Sequence, residues 1–279
     1  VVNGPATDGR PAAPSFSPKP SSRFLWLLRA AAPPLCAALL LLGLAALARP
    51  ALDGLRGRER YLVSFADIEC QPPGGQSRED FLQEVEYIAG RPDKPLDVLD
   101  DGLAARLEAT FARHPWVERV RRVEIGPRRV RVSLAYRTAV LTVQLVDGPR
   151  AVDGGGVLLP AAANDPTAPE LLGPVRPAGL QGEPWADERV AAAARTAAAL
   201  RPHQGRLDIR SIDVVNSEIT LEWRLGKVDW GRPPGEESAG EAPAAEKVRR
   251  LLDFAGGHDG RLWELDLRPA GGPAVKALN

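Results

Sequence analysis

The sequence has no methionine, two cysteines and three histidines among 279 residues, and aromatic residues make up only 5%. With valine at position 1, it is expected either to start inside a longer chain or to use a non-standard first codon. Cys36 and Cys70 form no CxxC pattern and no Cys/His cluster, which argues against a structural zinc site. They read as two inert, apolar thiols. Net charge is also missing: 36 lysines and arginines balance 36 aspartates and glutamates, so the chain is no general polyanion binder. Catalytic patterns are absent as well. His114, His203 and His258 sit beside helix-ending or turn residues, with no serine or cysteine nucleophile pattern near them. Gly154 to Gly156 and Leu171 to Pro174 lack the lysine and helix of a phosphate loop. Asp100 and Asp101 precede a helix, where carboxylates suit its N-terminal dipole. Neither an enzyme nor a cofactor or metal is expected.

One long apolar run is present. Residues 30 to 48 carry no charge and lie between Arg29 and Arg49. At about 1.5 Å per residue the run reaches about 28 Å, close to the hydrocarbon core of a bilayer. Pro33 and Pro34 fall in its first turn, and Trp26 precedes it as an interfacial anchor would. A transmembrane helix is expected over 24–49, after a disordered tail (1–23) and before a juxtamembrane linker (50–60). A cleaved signal peptide is the competing reading, because Ala46-Leu47-Ala48 resembles a cleavage site. The apolar core is longer than the signal-peptide range, which favours a retained anchor. Basic residues flank both ends, so charge alone does not orient the span.

Downstream, residues 61–70 have strand composition. Ser77 and Asp80 suit a helix start, followed by Phe81, Leu82, Val85 and Ile88 as an apolar stripe, with Gly90 as the stop. Leu103, Leu107 and Phe111 recur at four-residue spacing on a second helix that Pro115 ends. Val117, Val120 and Val123 lead into a strand, and Gly126-Pro127 marks a turn. Val130, Val132 and Leu134 then alternate with arginine or serine, as in a strand with one wet face. The order is strand, helix, helix, strand, strand. A second set of signals follows: a hairpin at Asp153 to Gly156, an alanine-rich helix between Pro184 and Pro202, and strands broken at Asn216-Ser217 and Gly226. A helix carrying Val248, Leu251, Leu252 and Phe254 comes next, then a strand in which Trp263, Leu265 and Leu267 alternate with polar residues. The fold class is α+β, with a mixed, antiparallel-rich second module.

These residues, in this order, resemble the FtsQ/DivIB family of bacterial division proteins. Pro115-Trp116-Val117, Val123, Pro127 and the exit Tyr136 to Leu141 match the family's POTRA domain. Leu225-Gly226-Lys227, Glu246-Lys247-Val248 and Asp266-Leu267-Arg268 match the close of its β-domain. Departures are Gly126 in place of an aromatic residue, Tyr136 in place of glutamate and Ala139 in place of proline. The resemblance implies a POTRA domain at 61–143 and a β-domain at 144–279. It also implies a bitopic scaffold in the cytoplasmic membrane at the division site, with the N-terminus cytoplasmic and the two modules outside. The partners it implies are FtsB/FtsL-type coiled-coil proteins and the septal peptidoglycan synthase pair, with no nucleic acid. The partner surface carries over to an edge strand containing Trp263, Glu264, Leu265, Asp266, Leu267, Arg268, Val275, Lys276 and Leu278. Glu264 stands where the family often has an aromatic residue.

Arg119, Arg121, Arg122, Arg128, Arg129, Arg131 and Arg137 form a second candidate, a docking face for anionic lipid or an acidic partner segment. A merely solvated strand face is its alternative. For the whole chain the alternative function is a POTRA-bearing translocation or outer-membrane assembly component, which would show repeated POTRA units or a long series of barrel strands.

Overall fold

The computed structural model describes residues 37–44, 46, 54, 58–90, 94–258 and 261–278, and the chain divides into two units, Val1–Arg56 and Gly57–Asn279. In the first unit residues 37–44 and 46 are helical, and Leu39 to Leu42 and Leu44 are exposed. No helix among the described residues is long and apolar enough to cross a membrane. The rest of the expected span lies outside the described residues, as does Cys36.

The second unit holds two large hydrophobic cores and a small cluster of Ala139, Ala151 and Leu159. Around the first core, β1 (Leu62–Val63) pairs antiparallel with β2 (Leu96–Asp97). The strand expected over 61–70 is shorter than its composition suggests. After β1 the chain makes a 3-10 turn, Phe65–Asp67, because Phe65 and Ile68 both enter the core and lie three residues apart. Only Glu69 then bridges to the later sheet. Helix α1 (Arg78–Ala89) begins as its sequence predicts: the Ser77 hydroxyl accepts the Asp80 N–H at 3.0 Å. It ends at Gly90, whose φ of 65° is the left-handed cap position. Phe81, Leu82 and Val85 are buried, whereas Ile88 is half-buried. Helix α2 (Leu103–Ala112) buries Leu103, Leu107 and Phe111 against them. Strands β3 (Val117–Gly126) and β4 (Arg129–Tyr136) form a hairpin that closes this core with Val117, Val130 and Val132.

The second core lies under an eight-stranded mixed sheet. In chain order its strands are β5 (Ala139–Leu145), β6 (Gly148–Asp153), β7 (Glu170–Leu171), β8 (Ile209–Val215), β9 (Glu218–Trp223), β10 (Gly226–Gly231), β11 (Leu262–Asp266) and β12 (Ala274–Leu278). Their spatial order is β12-β11-β10-β9-β8-β7-β5-β6. The neighbours β10/β11, β5/β7 and β7/β8 are parallel and the other four pairs antiparallel. The expected module boundary at 143 falls inside β5, which belongs to this sheet, so the first module ends at Tyr136. Helices α3 (Glu188–Leu200) and α5 (Ala244–Gly257), with the short α4 (Gln204–Leu207) between them, supply the apolar cover. Asp187, rather than Pro184, caps α3 by accepting the Arg189 N–H at 2.8 Å. Asn216 and Ser217 turn β8 into β9 with φ of 52° and 63°. Gly226 is required by close approach: a Cβ there would lie 2.4 Å from the Trp263 carbonyl oxygen on β11.

Candidate functional site: a free sheet edge

Strand β12 is the last strand at one side of the large sheet, and its hydrogen-bond parity follows from β11. The N–H groups of Trp263 and Leu267 donate to the carbonyls of Leu225, just before β10, and Asp229, on β10, at 2.7 and 3.0 Å. Alternation therefore turns Leu262, Glu264 and Asp266 toward β12, opposite Leu278, Lys276 and Ala274. Val275 and Ala277 are left with their N–H and C=O groups pointing away from the sheet. All five residues of β12 are exposed.

The opposite edge of the large sheet, β6, and the β3 edge of the hairpin are blunted. Strand β6 carries Pro149 and is covered by the returning chain, with the Leu159 N–H on the Ala151 carbonyl at 2.9 Å and a bridge between Val152 and Leu158. Strand β3 is interrupted by register shifts around Glu118 and Arg121 and carries charge along its length. Bulges, proline and cover are the usual protections of an edge strand. Among the described residues the only such device on β12 is Lys276.

The expected partner surface divides in two. Val275, Lys276 and Leu278 lie on this edge. Trp263, Glu264, Leu265 and Asp266 do not, because β11 is paired on both sides, parallel to β10 and antiparallel to β12. Alternation of apolar and polar residues shows which face is buried but not how many neighbours a strand has. Leu265 and Leu267 are wholly buried, and Trp263 packs edge-on against Phe254 at 5.7 Å. Arg268 lies in the connection to β12 and pairs with Asp266 at 2.8 Å. That hydrogen bond holds the Asp266 carboxyl below the usual carboxylate range, against the opposing effect of burial. On the wet face, register aligns Glu222, Lys227, Glu264 and Lys276 in one row across β9 to β12. The signs alternate and the row ends on Lys276, whose side chain is 76% exposed.

What holds this edge in place was not legible in the sequence. Arg250 of α5 donates to the carbonyls of Pro269 and Ala270 at 2.6 and 2.7 Å, which fixes the β11–β12 connection. The Ala242 N–H bonds the Arg268 carbonyl at 2.8 Å, and the Ala270 N–H bonds that of Gly240 at 3.0 Å. Behind them Lys247, fully buried, reaches Glu241 at 2.6 Å and lies 5.2 Å from the Trp230 ring centre. Glu241 also accepts the Arg232 and Ser238 N–H groups. Burial alone would raise the Glu241 carboxyl, yet these hydrogen bonds, that from Lys247 foremost, hold it below its ordinary value. The sequence did carry one signal. Lys247, Leu251 and Phe254 follow the i, i+4, i+7 spacing of a buried stripe.

The seven arginines of the second candidate are not all brought together. Arg119, Arg121, Arg122, Arg129 and Arg131 belong to the β3–β4 hairpin, and Arg128 is in its turn. Two carboxylates intervene: Glu69 lies 2.8 Å from Arg131, and Glu124 lies 3.2 Å from Arg122. Arg137 is elsewhere. It is largely buried and bonds Asp153 at 2.7 Å, where the first module passes into the large sheet. Asp153 is also the turn residue of the expected hairpin and accepts the Gly155 and Val157 N–H groups at 2.9 Å. Cys70 is a free thiol beside β4, and burial pushes it up to about 11, with Arg78 opposing.

Among known proteins, no family model and no curated protein matches the chain.

Proposed function

We propose that this chain is a bitopic membrane scaffold of the bacterial division complex, which binds a partner by adding its strand to β12. The observation that carries the reading is the β12 edge itself: two residues with outward main-chain groups and, among the described residues, no bulge, no proline and no cover. Strand addition uses such groups for affinity and the alternating side chains for specificity. The charge row ending on Lys276 favours an acidic residue beside it on the incoming strand.

The fold supports the same reading. A module of two helices packed on a hairpin, with the preceding segment bridged to its second strand, is consistent with a POTRA domain. The larger module is consistent with the β-domain of the FtsQ/DivIB family, which the sequence resembles. The exposed leucines at 39–42 and 44 suit a helix in lipid, since a helix apolar on every side has no stable place in water. In this reading the partners are FtsB/FtsL-type coiled-coil proteins and the septal peptidoglycan synthase pair, and both modules lie outside the cytoplasm.

A fluorescent fusion of the full chain tests it. The fusion is expected to gather at division sites and to lose that pattern when β12 is removed. An even distribution around the envelope with β12 present would overturn the proposal.

A further inference from the structure

An open groove of about 710 Å³ runs along the outer side of β4 in the first module. Glu69 covers only part of that side. Its N–H donates to the Val130 carbonyl, and its carbonyl accepts the Val132 N–H, each at 2.9 Å. Strand alternation turns the main-chain groups of Leu134 the same way. In a longer parallel strand the Gln71 carbonyl would accept the Leu134 N–H. Instead it accepts the Tyr136 hydroxyl, and no group among the described residues bonds Leu134 on that side. A short stretch of open edge results, floored by Ser133 and Ala135. Arg78, Arg121 and Arg131 line it against a single carboxylate, Glu69. Arg131 is engaged by Glu69, and Arg78 reaches the Ile68 carbonyl at 3.4 Å, so Arg121 is the least committed cation of the three.

We infer that this groove takes an extended acidic segment of a partner protein, which adds a short strand to β4 and sets carboxylates against Arg121 and Arg78. Two features favour a peptide over an anionic membrane surface. The groove is concave, and its floor offers directional N–H and C=O groups that only another backbone satisfies. The excess of guanidinium groups selects the sign of the side chains. This site is independent of the β12 edge and stands or falls separately from it.

The test uses the full chain in detergent micelles and a short fluorescein-labelled peptide of alternating valine and glutamate. The peptide is expected to bind, a valine–lysine peptide not to bind, and hydrogen exchange at Leu134 to slow in the complex. Arg121→Glu should weaken binding by about tenfold or more, whereas Arg129→Glu, the same charge change on the hairpin but outside the groove, should change it less than about twofold. Circular dichroism melts of both variants should match the parent, since both side chains are exposed. Val275→Pro should leave peptide binding unchanged. The inference is overturned by equal weakening in the two arginine variants, by unchanged exchange at Leu134, or by no peptide binding. Binding of phosphatidylglycerol vesicles that Arg121→Glu abolishes, with no peptide binding, would assign the groove to lipid instead.

Discussion

At the scale of single residues, the buried Lys247–Glu241 pair is the most sensitive point of the second module. Glu241→Ala would leave an uncompensated buried ammonium and remove the acceptor of two backbone N–H groups, so a loss of about 3–5 kcal/mol is expected. Replacing both members by apolar residues should cost much less, and urea denaturation of the single and double variants separates the two outcomes. Gly231 faces the same carboxylate. A Cβ there would fall 2.2 Å from Glu241, at a φ of 87°. His114 supplies a pH effect. Its buried ring is held below the ordinary histidine value of 6.5 by burial, with the 3.0 Å contact to Glu84 pulling the other way. The unfolded chain therefore takes up this proton first. Stability contributed by the neutral ring is present above that value and falls as the pH drops through it toward the lowered folded value. Melting between pH 7 and 5 should show a shallower slope for His114→Gln than for the parent. Individual residues were legible where local chemistry decides them, as with the Ser77 cap and the Leu103–Leu107–Phe111 stripe. Lys247 sits on a legible stripe, but its pairing with Glu241 was not legible, because that carboxylate approaches from the connection before α5 and shares no period with the helix.

At the scale of elements, the decisive contrast lies within β12. Val275→Pro removes an N–H that points away from the sheet, so the β11–β12 ladder should survive with a loss of no more than about 1 kcal/mol. Lys276→Pro removes a ladder bond to Glu264 and should destabilise the terminal hairpin visibly. Leu265→Asp would bury an unpaired carboxylate in the interior strand and should unfold the module. Hydrogen exchange resolved along 262–278 distinguishes all three. Helices α1, α2, α3 and α5 and strands β3, β4, β8 and β9 follow from periodicity and turn residues. The short pair β1/β2 does not, since two-residue strands carry no period. Nor does the interior position of β11, because a parallel crossover through α5 is a tertiary choice that a strand's own alternation cannot report.

At the scale of the molecule, Arg137 and Asp153 lie where the first module passes into the second. Beside them the chain at Gly182 packs on Pro115, where a Cβ would come within 3.1 Å. Arg137→Gln weakens this join without touching either core, so one cooperative thermal transition should begin to separate into two, as calorimetry would show. The account rests finally on β12 as the surface that partners grasp. The most direct measurement is affinity capture from native membranes with the parent chain and Val275→Pro side by side. The account predicts that the parent retains division proteins, while the folded Val275→Pro chain loses them. Equal capture by both chains would contradict it.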